Sequence, residues 1–380
     1  MGEMLISREP VEVLFGGAHR FRADTCPKMG ALALKSLREN APDAGTFARV
    51  LGIADEFAET VYQRVQEKLQ REPVEDFHID FEDGFGVRSD DEEDAAAQSA
   101  AEQLAMAMDA GSMSPFSGFR IKPLNAESRA RGLRTLNHFL DVLFSRTGGR
   151  TPPHFAVMLP KITEPAEIAT LIDALKPYPP IAIELMIETT QAILHLPELL
   201  VATQGRCAAA HFGPYDYTSS LGITFASQSL HHPACDLARS LMQLHLAGTG
   251  VRLADGPTNT LPLADQVHRG WKLHYEAVRR ALSNGYFQGW DLHPAQLPSR
   301  YAAVYAFFLE GKAEASRRLR NFVQQSAQAT QVGGHFDDAA TALGLLNYFL
   351  RAVNCGAIPE SEIPELTGLS MESLRAGRWS

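Results

Sequence analysis

Eight short runs of apolar, largely β-branched or aromatic residues punctuate the chain. They are VEVLFGG (11–17), FHIDFEDG (77–84), GFRIKPL (118–124), HFAVMLPKI (154–162), IAIELMIET (181–189), CAAAHFGPYD (207–216), GVRLADG (250–256) and YFQGWDLHP (286–294). Between most of them the apolar positions take the helical period. In EPAEIATLIDALK (164–176), Ile168, Leu171, Ile172 and Leu175 fall on one face, and WKLHYEAVRRAL (271–282) reads the same way. Strand-length runs alternating with helices predict parallel β–α–β units, and eight of them predict closure into a (β/α)8 TIM barrel. An open doubly wound sheet is the alternative. The number of runs favours the barrel, and no G-x-G-x-x-G follows the first of them. The polar residues of these runs also gather at their C-terminal ends, in FEDG, MIET, GPYD and DLHP. Those ends form the catalytic face of a barrel.

Two segments exceed a minimal barrel. Residues 27–76 are long for one crossover and read as several helices, and residues 301–380 read as mostly helical. The predicted organisation is a barrel over 1–300 with a helical insertion at 27–76, followed by a C-terminal helical extension over 301–380. The acidic run SDDEEDAAAQSAAEQLA (89–105) reads as a solvated helix start, with Ser89 or Asp90 as its cap.

The 380 residues leave room for a barrel of roughly 250 residues plus added helices. A 45% hydrophobic content supports a substantial core. The formal net charge of −10 argues against general affinity for nucleic acid or anionic membrane, because both require clustered cations. It leaves room for a small carboxylate held by a few local cations. Cys26, Cys207, Cys235 and Cys355 form no C-x-x-C pair. The N-terminus has no basic stretch leading into a long apolar run, and no apolar stretch reaches membrane-spanning length. A cytoplasmic protein with no membrane partner is the expectation.

Candidate chemistry concentrates at the predicted strand ends. Glu188 and Asp216 close two successive runs, where two carboxylates can converge on one Mg2+ and leave its other positions to water and substrate oxygens. Either acid alone reads equally as a helix cap. Glu82 and Asp83 end the second run, placed to bond metal-bound water or an arginine, and Asp-Gly is also a common turn pair. Arg120 and Lys122 share a face by period-two alternation. A cation inside a barrel needs a partner, which a substrate carboxylate or the Glu82–Asp83 pair supplies. Lys161 reads as a charge-balancing residue, or alternatively as a Schiff-base lysine. Asp255 and His293 read as supporting or loop-forming residues, and His211 as a core histidine.

The ordered set FEDG, RIKPL, LPKI, ELMIET, FGPYDYTSSLGI, ADGP and GWDLHPAQ resembles the citrate lyase beta-subunit-like group of the HpcH/HpaI aldolase and malyl-CoA lyase superfamily, over roughly residues 75–300. That resemblance implies a Mg2+-dependent (β/α)8 lyase, with Mn2+ as a substitute, that cleaves or forms carbon–carbon bonds. Its substrates would be 2-oxo or 2-hydroxy acids or their coenzyme A thioesters. By motif, Glu188 and Asp216 take the metal, and Arg120 takes the substrate acid or carbonyl. Glu82 and Asp83 match the acidic pair after the second strand. Gly213, Pro214 and Tyr215 match the loop that approaches a bound carboxylate. The resemblance also implies a homo-oligomer, trimer or hexamer, in which an acid such as Asp337 or Asp338 covers a neighbour's site. RIKPL departs from the family's V-R-V-N-like run, with Lys122 and Pro123 where asparagine is usual. Phosphoryl-transfer or enolpyruvate chemistry on the same fold is one alternative, and a non-catalytic binding paralogue is another.

Overall fold

The structure is a computed structural model that describes residues 8–325, 330–332 and 335–378. Eight parallel strands close into a barrel in chain order. They are β1 (Glu12–Gly17), β2 (Asp76–Asp80), β3 (Phe116–Arg120), β4 (Phe155–Leu159), β5 (Ala182–Ile187), β6 (Cys207–Phe212), β7 (Arg252–Asp255) and β8 (Gln288–Asp291). Each lies within or beside one of the eight apolar runs, and β8 pairs with β1 to close the ring. The expected TIM barrel is therefore the fold.

Three helices join β1 to β2: α1 (Thr25–Asn40), α2 (Ala44–Leu51) and α3 (Asp55–Arg71). The outer ring continues with α4 (Asp90–Ala110), α5 (Arg129–Thr147), α6 (Pro165–Ala174), α7 (Thr190–Leu194) and α8 (Leu196–Ala202). It is completed by α9 (Pro214–Ser220), α10 (Pro233–Leu246), α11 (Val267–Ser283) and α12 (Leu297–Gln324). Ser89 caps α4 in a capping box with Glu92, which satisfies first-turn N–H groups while the acids of that turn oppose the helix dipole.

Helix α12 packs on α11 and α3 and so closes the helical ring. The division expected at residue 300 falls inside α12, whose hydrogen-bond ladder runs unbroken through that point. We propose that the barrel unit extends through α12. Beyond it come a short hairpin, β9 (Thr330–Val332) and β10 (His335–Asp337), and then α13 (Ala339–Asn354), α14 (Ile363–Thr367) and α15 (Met371–Arg375). Helices α13 and α14 pack on α12. Among the described residues no helix is long and apolar enough to cross a membrane.

Period-two alternation assigns two jobs to each strand. Phe77, Ile79 and Phe119 are buried on the outer face, and Phe119 stacks on Phe139 of α5 with ring centroids 4.3 Å apart. The residues between them, Asp76, His78, Asp80 and Arg120, point into the barrel. That interior is unusually polar, and its upper end forms the candidate site. Lys122 corrects one expectation. The strand stops at Arg120, so alternation no longer applies beyond it. The Lys122 ammonium turns to the Phe81 carbonyl (2.6 Å) and to Glu93 of α4 (3.1 Å), away from Arg120's partners.

Candidate active site

Asp80 and Arg120 are register partners on β2 and β3, both facing inward at the C-terminal end. Burying a guanidinium is costly unless a carboxylate meets it in good geometry. Asp80 does so through both oxygens, which accept from Arg120 Nε at 2.7 Å and Nη2 at 2.6 Å. Burial would lower the Arg120 pKa, but Asp80 outweighs it and raises it further, so the cation is permanent. The guanidinium also lies near the rings of Phe15 (5.0 Å) and Trp290 (5.6 Å). Asp80 accepts the backbone N–H groups of Glu82 (3.0 Å) and Gly84 (2.7 Å) as well, folding the FEDG turn over the strand end. Arg120 Nη1 is left buried without a hydrogen bond, 3.2 Å from Glu82 and 3.7 Å from Asp83.

Lys161, just after β4, adopts a left-handed backbone conformation with φ +50°, rare for a residue with a side chain. That conformation has two consequences. Its N–H donates to Glu188 Oε1 at 2.7 Å, and its ammonium reaches back to Glu82 and, at 3.1 Å, to Asp83. Burial raises the Glu82 carboxyl despite Arg120. Asp83 is also penalised by burial, but a hydrogen bond with Glu82, together with Arg120 and Lys161, holds it low. Of the two, Glu82 is the readier to take a proton.

Glu188 follows β5 and is buried, whereas Asp216 lies exposed in the first turn of α9. Burial, and then the charge of Asp216, push the Glu188 carboxyl up to about 8. Among the described residues neither acid has a Lys or Arg ion pair. Gly213, between β6 and α9, permits this closeness: a Cβ there would stand 2.6 Å from both Glu188 Cβ and Oε2. Four carboxylates (Asp80, Glu82, Asp83 and Glu188) thus gather around two cations, Arg120 and Lys161, with Asp216 close enough to Glu188 to act on its charge. Two neighbouring acids without a Lys or Arg ion pair, one of them buried and bonded only by the Lys161 N–H, are a donor set a hard divalent cation satisfies. The residues therefore fit Mg2+.

The structure places the other expected residues as follows. Pro214 opens α9, and the Tyr215 hydroxyl donates to the Pro257 carbonyl at 3.3 Å. Asp255 is buried against Arg239 and its own turn, and His293 caps the turn before α12. His211 is buried on Glu184 at 2.8 Å. Asp338 is exposed and caps α13 through Thr341. The side chain of Asp337 lies outside the described residues. Asp80 was absent from the expected site. Its signal was the D-F-E-D alternation, but only the β2–β3 register reveals Arg120 as its partner. A second inward cluster, Asp76, His78 and Glu184, was also absent.

Residues 3–379 match the family described as "Domain of unknown function (DUF6986)". No curated protein matches the chain. Among solved structures, a citrate lyase from Burkholderia xenovorans LB400 superposes with a TM-score of 0.62 at 17% identity, over 92% of this chain and 93% of that one. A Mycobacterium tuberculosis protein named CitE, in complex with magnesium, acetoacetate and coenzyme A, superposes with a TM-score of 0.56 at 17% identity, covering 91% and 98%. At that identity the likeness establishes the shared fold.

Proposed function

The chain belongs to the DUF6986 family, and from the site it carries we propose that it is a Mg2+-dependent carbon–carbon lyase acting on a 2-oxo or 2-hydroxy carboxylic acid, free or as its acyl thioester. The observation that carries this reading is the nearness of Glu188 to Asp216, two acids without a Lys or Arg ion pair among the described residues, together with the unspent Nη1 of Arg120. Glu188 and Asp216 would hold the ion. When bound, Mg2+ supplies Lewis-acid stabilisation of the oxygen charge that develops as a C–C bond next to a carbonyl breaks.

The protein's own groups account for the rest. Arg120, fixed by Asp80, presents Nη1 to a substrate carboxylate or carbonyl at no cost in reorganisation. Lys161 holds Glu188 by its backbone and Glu82–Asp83 by its side chain, which sets the distance between the metal pair and the acidic pair. Glu82, the readier of the pair to take a proton, is the candidate to deliver or accept one at the reacting carbon or oxygen. Gly213, Pro214 and Tyr215, beside Glu188 at the start of α9, would lie against the substrate acid. The shared fold with proteins named citrate lyase and CitE supports the reading.

The test is product analysis with Mg2+ and malyl, citramalyl or oxaloacetate donors, each as free acid and as thioester. Glu188→Ala and Asp216→Ala should each lose about a hundredfold or more of turnover, in line with several kcal/mol of Lewis-acid stabilisation. Turnover like that of wild type in both variants would overturn the assignment.

A further inference from the structure

Beneath the candidate active site, deep in the barrel, three chemically different side chains meet. Asp76 and His78 sit on the same face of β2, and Glu184 reaches them from β5 on the other side of the interior. One ligand atom from each lies within 4.8 Å of the others, and all three residues are buried. His78 Nε2 stands 3.3 Å from Asp76 Oδ1 and 3.2 Å from Glu184 Oε2. Yet neither nitrogen of His78 makes a hydrogen bond, and neither does Asp76 Oδ1. Charge alone holds His78 Nε2 between the two carboxylates, and Nδ1 has no partner, so the three residues are open to an ion that binds them more closely.

We propose that Asp76, His78 and Glu184 form a second metal site, a structural one inside the barrel, which takes a four-coordinate divalent transition ion of the Zn2+ type. The spacing makes the choice of ion. Bonds of about 2.0–2.1 Å to a tetrahedral centre put neighbouring ligand atoms roughly 3.3–3.4 Å apart. An octahedral Mg2+ with similar bonds needs about 2.9 Å. The separations of 3.3 and 3.2 Å fall nearer the tetrahedral value. An imidazole nitrogen among the donors also favours a transition ion over Mg2+.

The surroundings are those of a supported site. Gln288 Nε2 donates to the other oxygen of Asp76 at 2.9 Å, and Arg252 Nη2 donates to Glu184 Oε1 at 2.9 Å. His211 Nε2 lies 2.8 Å from Glu184 Oε2 as a third such contact, and a water would complete the four-coordinate set. Such outer contacts hold the ligands in orientation. The site would clamp β2 to β5, the strands whose upper ends carry Asp80 and Glu188. It does not depend on the lyase reading, because it shares no ligand with the upper pair.

The experiment is metal analysis of the full chain purified without added metal and passed over chelating resin. One equivalent of transition metal should remain in wild type and also in the Glu188→Ala/Asp216→Ala double variant. It should fall to background in Asp76→Asn and in His78→Gln, with circular dichroism reporting whether each stays folded. If the last two variants fail to fold, protein expressed in cobalt medium decides. Wild type should then show the intense visible bands of four-coordinate Co2+ between about 500 and 700 nm. Folded wild-type protein with neither stoichiometric metal nor those bands overturns the proposal. So does metal that disappears with Glu188 and Asp216, which would place it at the upper site.

Discussion

Arg120 has five donors, and the structure spends them unequally. Asp80 takes the edge formed by Nε and Nη2, and Nη1 has no hydrogen bond. A lysine offers one charge and no fork, so it cannot grip Asp80 on one side and a substrate on the other. Arg120→Lys is therefore expected to raise KM for a carboxylate substrate roughly ten- to a hundredfold. That corresponds to about 1.5–3 kcal/mol for hydrogen bonds to a charged group. Steady-state kinetics with circular dichroism as a fold control checks it, and an unchanged KM would remove Arg120 from the substrate role. The inward placement of Arg120 was readable from alternation along β3. Its partner was not, because Asp80 lies forty residues earlier in the chain and register alone joins them. The same limit explains Lys122: β3 ends at Arg120, and the alternation ends with it.

The junctions between strands and helices do the positioning. At the β6–α9 junction Gly213 has φ −104°, which any residue can adopt, so its value is space and not flexibility. Gly213→Ala would drive a methyl into Glu188, whose Cβ and Oε2 are 2.6 Å from the new carbon. Overpacking of this kind costs about 1–3 kcal/mol and would fall mainly on the carboxylate. The expected result is Mg2+ affinity lowered about tenfold or more by calorimetry, with the barrel still folded. Affinity equal to wild type would separate Gly213 from the proposed Glu188–Asp216 metal site. At the β4–α6 junction the positive φ of Lys161 aims an N–H at Glu188, a device invisible in the letters LPKI. The capping box of α4 is the opposite case, since Ser89 and Glu92 are three residues apart and interact by local geometry alone.

The whole molecule depends on closing the ring, and Asp291 of β8 shows how. It is buried and binds Arg300 of α12 (2.6 and 3.1 Å) and His274 of α11 (2.8 Å), tying the last strand to the last two barrel helices. Burial opposes the charge on Asp291, but Arg300 and His274 outweigh it and bring the carboxyl down to about 2. A carboxyl held below its unfolded value contributes stability that is present above about pH 4 and is lost as pH falls toward 2. Asp291→Asn should therefore be less stable at pH 6, by an amount on the order of 2 kcal/mol, and should show a flatter stability profile between pH 4 and 2. Urea titrations across that range check it, and parallel profiles for the two proteins would refute it. At this scale the division between sequence and structure is clear. The eight apolar runs, their order, the helices between them and the polar strand ends were determined by local periodicity, which needs only neighbours in the chain. The Asp80–Arg120 clamp, the reach of Lys161 to two separate acidic groups and the Asp76–His78–Glu184 cluster were decided by tertiary structure. Each joins groups from separate strands or the turns that follow them, and their distances exist only once the barrel has closed.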